Sequence, residues 1–220
     1  MKIGKWSQTD KILIGNREVE VVDGFCYLGS LMTTDGSCDR EVKARIGRAN
    51  AAFGTLEKIW KTNGCSLRIK LRLYEAIVLS TLLYGSETWP MTVANKKRLD
   101  AAHHRWLRRI LHISWRDKVT NKSVRERTGQ EKAENIIRKR RLSWMGHVTR
   151  MDSNRRANQA ANWIPGGRRG RGRPRKNWTG TVVDDLRCLG MSWREANDLA
   201  ADREEWRLCI ARCAELHEKD

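Results

Sequence analysis

Residues 39–60, DREVKARIGRANAAFGTLEKIW, set Val42, Ile46, Ala49, Phe53, Leu56 and Trp60 three, four or seven residues apart. That spacing lines one face of a 3.6-residue helix, and Asp39 is the expected N-cap. Downstream the same periodicity continues. Ser66 opens a second helix with Leu67, Leu71, Tyr74, Ile77/Val78 and Leu82 on one face, ending near Gly85. A third is expected over 93–112 (Leu99, Ala102, Trp106, Ile110), a short fourth over 122–127 and a fifth over 131–148. Upstream, the β-prone runs 11–14 and 18–22 flank Gly15-Asn16-Arg17, a hairpin signal. Phe25-Cys-Tyr-Leu-Gly reads as a further extended piece and Thr34-Asp35-Gly36 as a turn. Residues 164–177, IPGGRRGRGRPRKN, are rich in Gly, Pro and Arg and bury nothing, so they predict a flexible basic linker. Helices are expected again over 178–189, 192–200 and 202–218, with Ser192 and Asp202 as caps and Gly190 as a stop. The class is mainly α with a small N-terminal β-hairpin.

The chain has 220 residues, a net charge of +18 and 40% hydrophobic residues. The excess is not spread evenly. Residues 1–95 carry 13 basic and 10 acidic side chains, 96–176 carry 25 and 6, and 177–220 carry 6 and 10. A block of that sign concentrates a polyanion, and its arginine bias points to RNA and/or DNA as the partner. The candidate contacts are Arg105, Arg108, Arg109, Arg138, Lys139, Arg140 and Arg141, then Arg168, Arg169, Arg171, Arg173, Arg175 and Lys176 in the linker. No apolar run reaches the length of a membrane span, and residues 7–11 turn polar too soon for a secretory signal. Six scattered cysteines then read as reduced thiols of a nuclear or cytoplasmic protein.

Four patterns invite a chemical reading, each beside a plainer one. Asp184-Asp185 has the look of a metal-binding acid pair. It sits in a helical pattern that turns the two side chains about 100° apart, so a solvated helix face is the expectation, and no catalytic residue is assigned. Cys209, Cys213 and His217 share a helix face with Cys188 upstream, a weak zinc candidate against small core residues. Arg171-Gly172-Arg173-Pro174 has the form of an AT-hook, whose glycine lets backbone sink into a narrow A·T minor groove, against a nonspecific basic linker. Trp106, Trp115, Trp144 and Trp163 interleave with basic residues, which suits base stacking, although helical spacing with aliphatic residues suits core packing.

Seven blocks follow one another in a fixed order. They are Phe25-Cys-Tyr-Leu-Gly-Ser, Leu82-Leu-Tyr-Gly-Ser-Glu-Thr-Trp89, Leu107-Arg-Arg-Ile-Leu, Trp115-x-Asp117 with Thr120-Asn121, Leu142-Ser-Trp-Met-Gly-His-Val-x-Arg-Met151, Gly172-Arg-Pro-x-x-x-Trp178 and Ala201-Asp-Arg-x-x-Trp206. The series resembles the C-terminal third of LINE-type (non-LTR) retrotransposon endonuclease–reverse transcriptases, over nearly the whole chain. The resemblance implies that 1–38 is the end of a palm, with Tyr27, Leu28 and Gly29 as a primer-grip-like turn. It implies a thumb-like helical domain over 39–114, a basic post-polymerase segment over 115–163, the linker 164–177 and a C-terminal helical segment over 178–220. The family's catalytic aspartates, its Mg²⁺ and its endonuclease domain map upstream of the YLG block. The expectation is therefore a nucleic-acid-binding fragment, inactive and without a cofactor on its own, whose partners include the missing palm and fingers. The alternative is a domesticated DNA-binding module that uses the RGRP tract.

Overall fold

The computed structural model describes residues 12–163 and 176–212, and the protein is mainly α-helical. The chain divides into two compact units, Met1–Gly85 and Ser86–Asp220.

In the first unit, β1 (Leu13–Ile14) pairs with β2 (Arg17–Glu18) across the expected turn. The piece read as a single extended segment is itself a hairpin, β3 (Gly24–Tyr27) against β4 (Ser30–Thr33), with Tyr27 opposite Ser30. Leu28 and Gly29 connect the strands with φ of 47° and 82°. Two positive φ values make a type I′ turn, which suits Gly29 and is uncommon for leucine. The turn is braced from outside. Arg45 Nη2 and Arg48 Nη1 donate to the Gly29 carbonyl at 2.5 and 2.8 Å, and the Tyr84 hydroxyl donates to the Leu28 carbonyl at 3.0 Å. Arg45 is in turn fixed by Glu41 at 2.7 Å and by the Tyr84 ring, 4.4 Å below its guanidinium.

Helix α1 (Asp39–Thr55) buries Val42, Ala49 and Phe53 as its pattern predicts. Its N-cap is Cys38, and Asp39 is the first helical residue, where its charge favours the helix dipole. The helix breaks at Leu56 before α2 (Glu57–Lys61). Residues seven apart in a straight helix are separated by about 10.5 Å along the axis. Trp60 instead stacks on Phe53 with ring centroids 5.0 Å apart and donates to the Phe53 carbonyl at 2.7 Å. The next helix is interrupted as well: α3 (Leu67–Leu73), a π-helical stretch Tyr74–Leu79, then α4 (Ser80–Leu82). Lys70, not Leu67, is buried, because its ammonium donates to the Trp60 carbonyl at 2.8 Å and closes the end of α2.

The second unit is arranged around one helix. After the turn Ser86–Thr88 come α5 (Val93–Ile110), α6 (Asn121–Thr128), α7 (Ala133–Thr149), α8 (Arg156–Asn162), α9 (Trp178–Cys188), α10 (Trp193–Ala201) and α11 (Arg203–Arg212). Helix α7 touches the Ser86–Thr88 turn, α5, α8, α9, α10 and α11. Helix α5, grouped by sequence with the thumb-like helices, packs on α6 and α7. The core joins Leu142 and Met145 to Val182, Leu186, Ala196, Ala200 and Trp206. Trp206 brings the Nε1–Cδ1 edge of its indole against α7 at Gly146 and donates from Nε1 to the Leu142 carbonyl at 2.9 Å. Ser192 caps α10 reciprocally with Glu195, and Asp202 accepts from the Glu204 and Glu205 amides at the start of α11. These backbone bonds hold the Asp202 carboxyl below the usual range. Helix α8 has no buried residue and no periodicity to announce it. It is held through Asn158, whose amide donates to the carbonyls of Val148 and Met151 at 3.1 and 3.2 Å.

Candidate nucleic-acid interface

Seventeen residues of α7 alternate between two tasks. Ala133, Ile137, Arg138, Arg141, Leu142, Met145 and Val148 recur at three- and four-residue steps and face the core. Lys139, Arg140, Ser143, Trp144 and His147 fall on the opposite side. With Glu87 and Ile210 they line an open groove of about 650 Å³. Trp144 is half-buried, and its ring lies 5.4 Å from that of His147 at 49°. Lys139 donates to Glu131 Oε1 at 2.6 Å and keeps about a quarter of its side chain in solvent.

The basic run 138–141 is thus split. Lys139 and Arg140 face the groove, whereas Arg138 and Arg141 are 5% and 2% exposed. Both grip Asp185 of α9: Arg138 Nε donates to Oδ1 at 3.2 Å, and Arg141 Nη1 lies 3.1 Å from Oδ2. Arg138 also reaches Glu134 at 3.3 Å. Burial pushes the Asp185 carboxyl up, against the opposing pull of Arg141 and Arg138. These two guanidiniums are thus buried against an acid inside the unit, whereas Lys139 and Arg140 lie at its surface. The Asp184–Asp185 reading is corrected for Asp185. The helical turn separates the pair as expected, but only Asp184 faces solvent, where Lys176 and Arg187 pair with it. The Lys176 bond foremost holds the Asp184 carboxyl low.

A second basic surface lies at the end of α5. Arg105 and Arg109 are exposed and, with Ala101, His104, Arg108, Ile113 and Asn121, line a shallow groove of about 360 Å³. Arg108 donates to the Val119 carbonyl and to Asn121 Oδ1, both at 2.8 Å, which fixes the loop between α5 and α6. Beneath it sit two buried histidines. His103 Nε2 is 3.0 Å from the Glu131 carbonyl and therefore carries its proton there. His104 Nδ1 is 2.7 Å from the Asp100 carbonyl, leaving Nε2 to accept from Arg125 at 3.2 Å. Burial lowers both, His103 to about 4.

The other candidates are dispersed. Tyr27 and Leu28 are exposed at the braced turn of the first unit. Arg168, Arg169, Arg171, Arg173 and Arg175 lie outside the described residues, as do Cys213 and His217. Cys188 is exposed, and Cys209 is half-buried with its thiol 3.6 Å from the Met191 sulfur. Among the described residues no three His, Cys, Asp or Glu side chains gather as a metal site, and no helix is long and apolar enough to cross a membrane. Of the four tryptophans singled out, Trp106 is wholly buried, Trp115 and Trp163 stand exposed, and Trp144 alone of the four lines the α7 groove. The sequence reading missed Asp185 as a buried counter-ion and Gly146 as a seat for Trp206. The one available signal was the i, i+3 pairing of Arg138 and Arg141 on the apolar side of α7.

The chain is similar to a transposon-derived protein of Caenorhabditis elegans, 27% identical over 203 residues that cover 89% of this chain and 72% of the relative. That likeness supports a transposon origin. No family model matches the sequence, and no solved structure matches it.

Proposed function

We propose that this protein binds nucleic acid through the outward face of α7 and the end of α5, with residues that correspond to the C-terminal third of a LINE-type reverse transcriptase. The observation that carries the reading is the division of α7. One face is spent on the core, and the other holds Lys139, Arg140, Trp144 and His147 around a single groove. Cations with a partly exposed ring are the ingredients of a nucleic-acid surface. The ordered series of blocks and the likeness to a transposon-derived protein support the retrotransposon part of the reading. In that setting the exposed Tyr27-Leu28-Gly29 turn meets the primer, and the carboxylates and Mg²⁺ of polymerisation belong to the family's palm, upstream of that turn.

The test is the salt dependence of binding to a duplex by the full chain. Lys139→Gln with Arg140→Gln should flatten the slope of log K against log salt by about 0.9 per lost phosphate contact. Arg105→Gln with Arg109→Gln should act similarly at the α5 surface. A chain that retains no nucleic acid at low salt, or whose slope ignores all four substitutions, refutes the assignment.

A further inference from the structure

We infer that the α7 groove is a seat for an unpaired nucleotide, whose base stacks on Trp144 while its phosphate meets Lys139 and Arg140. The inference rests on the proposed nucleic-acid function and names the form of nucleic acid that this surface takes. Three features select an unpaired base over a duplex. The first is the position of the ring: Trp144 is half-buried in the groove wall, not raised from the surface. In a duplex both faces of every base are already stacked, so a recessed indole meets only sugar and phosphate. The second is size. The open groove, about 650 Å³, is in the size range of small-ligand sites. The third is the lining. Lys139 and Arg140 give cations to a phosphate, His147 lies tilted against the indole, and Ile210 adds an apolar wall. Glu87 supplies the one carboxylate of the lining, which repels phosphate and accepts from the N–H groups on a base edge. Trp115, by contrast, stands 84% exposed on a 3-10 turn, with the Arg116 guanidinium 5.6 Å from its ring.

The experiment compares Trp144→Leu with Trp144→Phe in the full chain. Leucine keeps apolar bulk without a π-face, and phenylalanine keeps the face. The probes are single-stranded RNA and single-stranded DNA of one mixed sequence and the matching DNA duplex, at one salt concentration. The wild type should prefer both single strands to the duplex. Trp144→Leu should weaken single-strand binding by about 5- to 150-fold, the worth of one base stack, and change duplex binding less than twofold. Trp144→Phe should recover most of the loss, which a folding defect at this position would not allow. Equal losses for leucine and phenylalanine, parallel losses for single strand and duplex, or no loss at all would overturn the inference while leaving the proposed nucleic-acid binding standing. Failure of the wild type to retain any of the three probes would overturn the proposed function as well.

Discussion

Substituting Gly146→Ala puts the close approach of Trp206 to α7 under direct test. A methyl group built on Gly146 would lie 2.2 Å from Trp206 Nε1 and 2.3 Å from Cδ1. Carbon–nitrogen contacts relax near 3.5 Å, so the indole must retreat by about 1.3 Å. It has little room, because Trp206 is 2% exposed and packed among Leu142, Met145, Val182 and Leu186. The same retreat stretches its 2.9 Å bond to the Leu142 carbonyl beyond useful range. Overpacking costs about 1–3 kcal/mol and the lost hydrogen bond about 1 kcal/mol. Alanine returns about 0.8–1 kcal/mol of helix propensity over glycine. The net expectation is a loss of about 1–3 kcal/mol, read from urea denaturation of the full chain. In a Trp206→Leu background the obstructing ring is gone, and the same substitution should become neutral or stabilising. If Gly146→Ala stabilises the native background, or costs equally in both, the close approach does not govern this core.

Other expectations follow from the buried charges and the basic tract. His103 stays neutral in the fold, with its pKa lowered to about 4. Stability should therefore be full above about pH 6.5 and fall as pH drops toward 4, where the unfolded chain takes up a proton that the fold refuses. The total is on the order of 3 kcal/mol, and His103→Gln should flatten that slope in urea titrations across pH. Asp185→Asn leaves Arg138 and Arg141 without their shared counter-ion and should cost about 3–5 kcal/mol in the same assay, whereas Asp184→Asn should cost under 1 kcal/mol. If residues 171–174 act as a minor-groove hook, Gly172→Val should abolish a preference for A·T-rich over G·C-rich duplex in competition binding. If they are only a linker, no such preference exists to lose.

Helix positions were legible wherever an apolar stripe repeated, as in α1, α5 and α7, because burial of one face dictates the 3.6-residue period. The interruptions were not. The break at Leu56 arises from Trp60 folding back on Phe53, and α8 is held by the side-chain amide of Asn158. Both are hydrogen bonds to backbone carbonyls that leave no periodic trace. The second hairpin stayed hidden because Leu28 is a poor turn residue by composition, and what holds it comes from Arg45, Arg48 and Tyr84, up to 56 residues away. At the candidate interface, composition located the basic block but treated its arginines alike. Which ones point inward depends on where Asp185 meets α7, a contact across 47 residues of sequence.

The dependence of α7 on distant partners also governs when the second unit can form on a growing chain. Its fastening points to Asp185 and Trp206 span 47 and 64 residues, and Trp178 closes on the Glu87 carbonyl across 91. Contacts of such long range form late and slowly, since loop closure precedes any gain from burial. Until α9 to α11 leave the ribosome, the half-made unit therefore displays the apolar side of α7, with two arginines lacking their acid. The arrival of Trp206 on Gly146 ends that exposure.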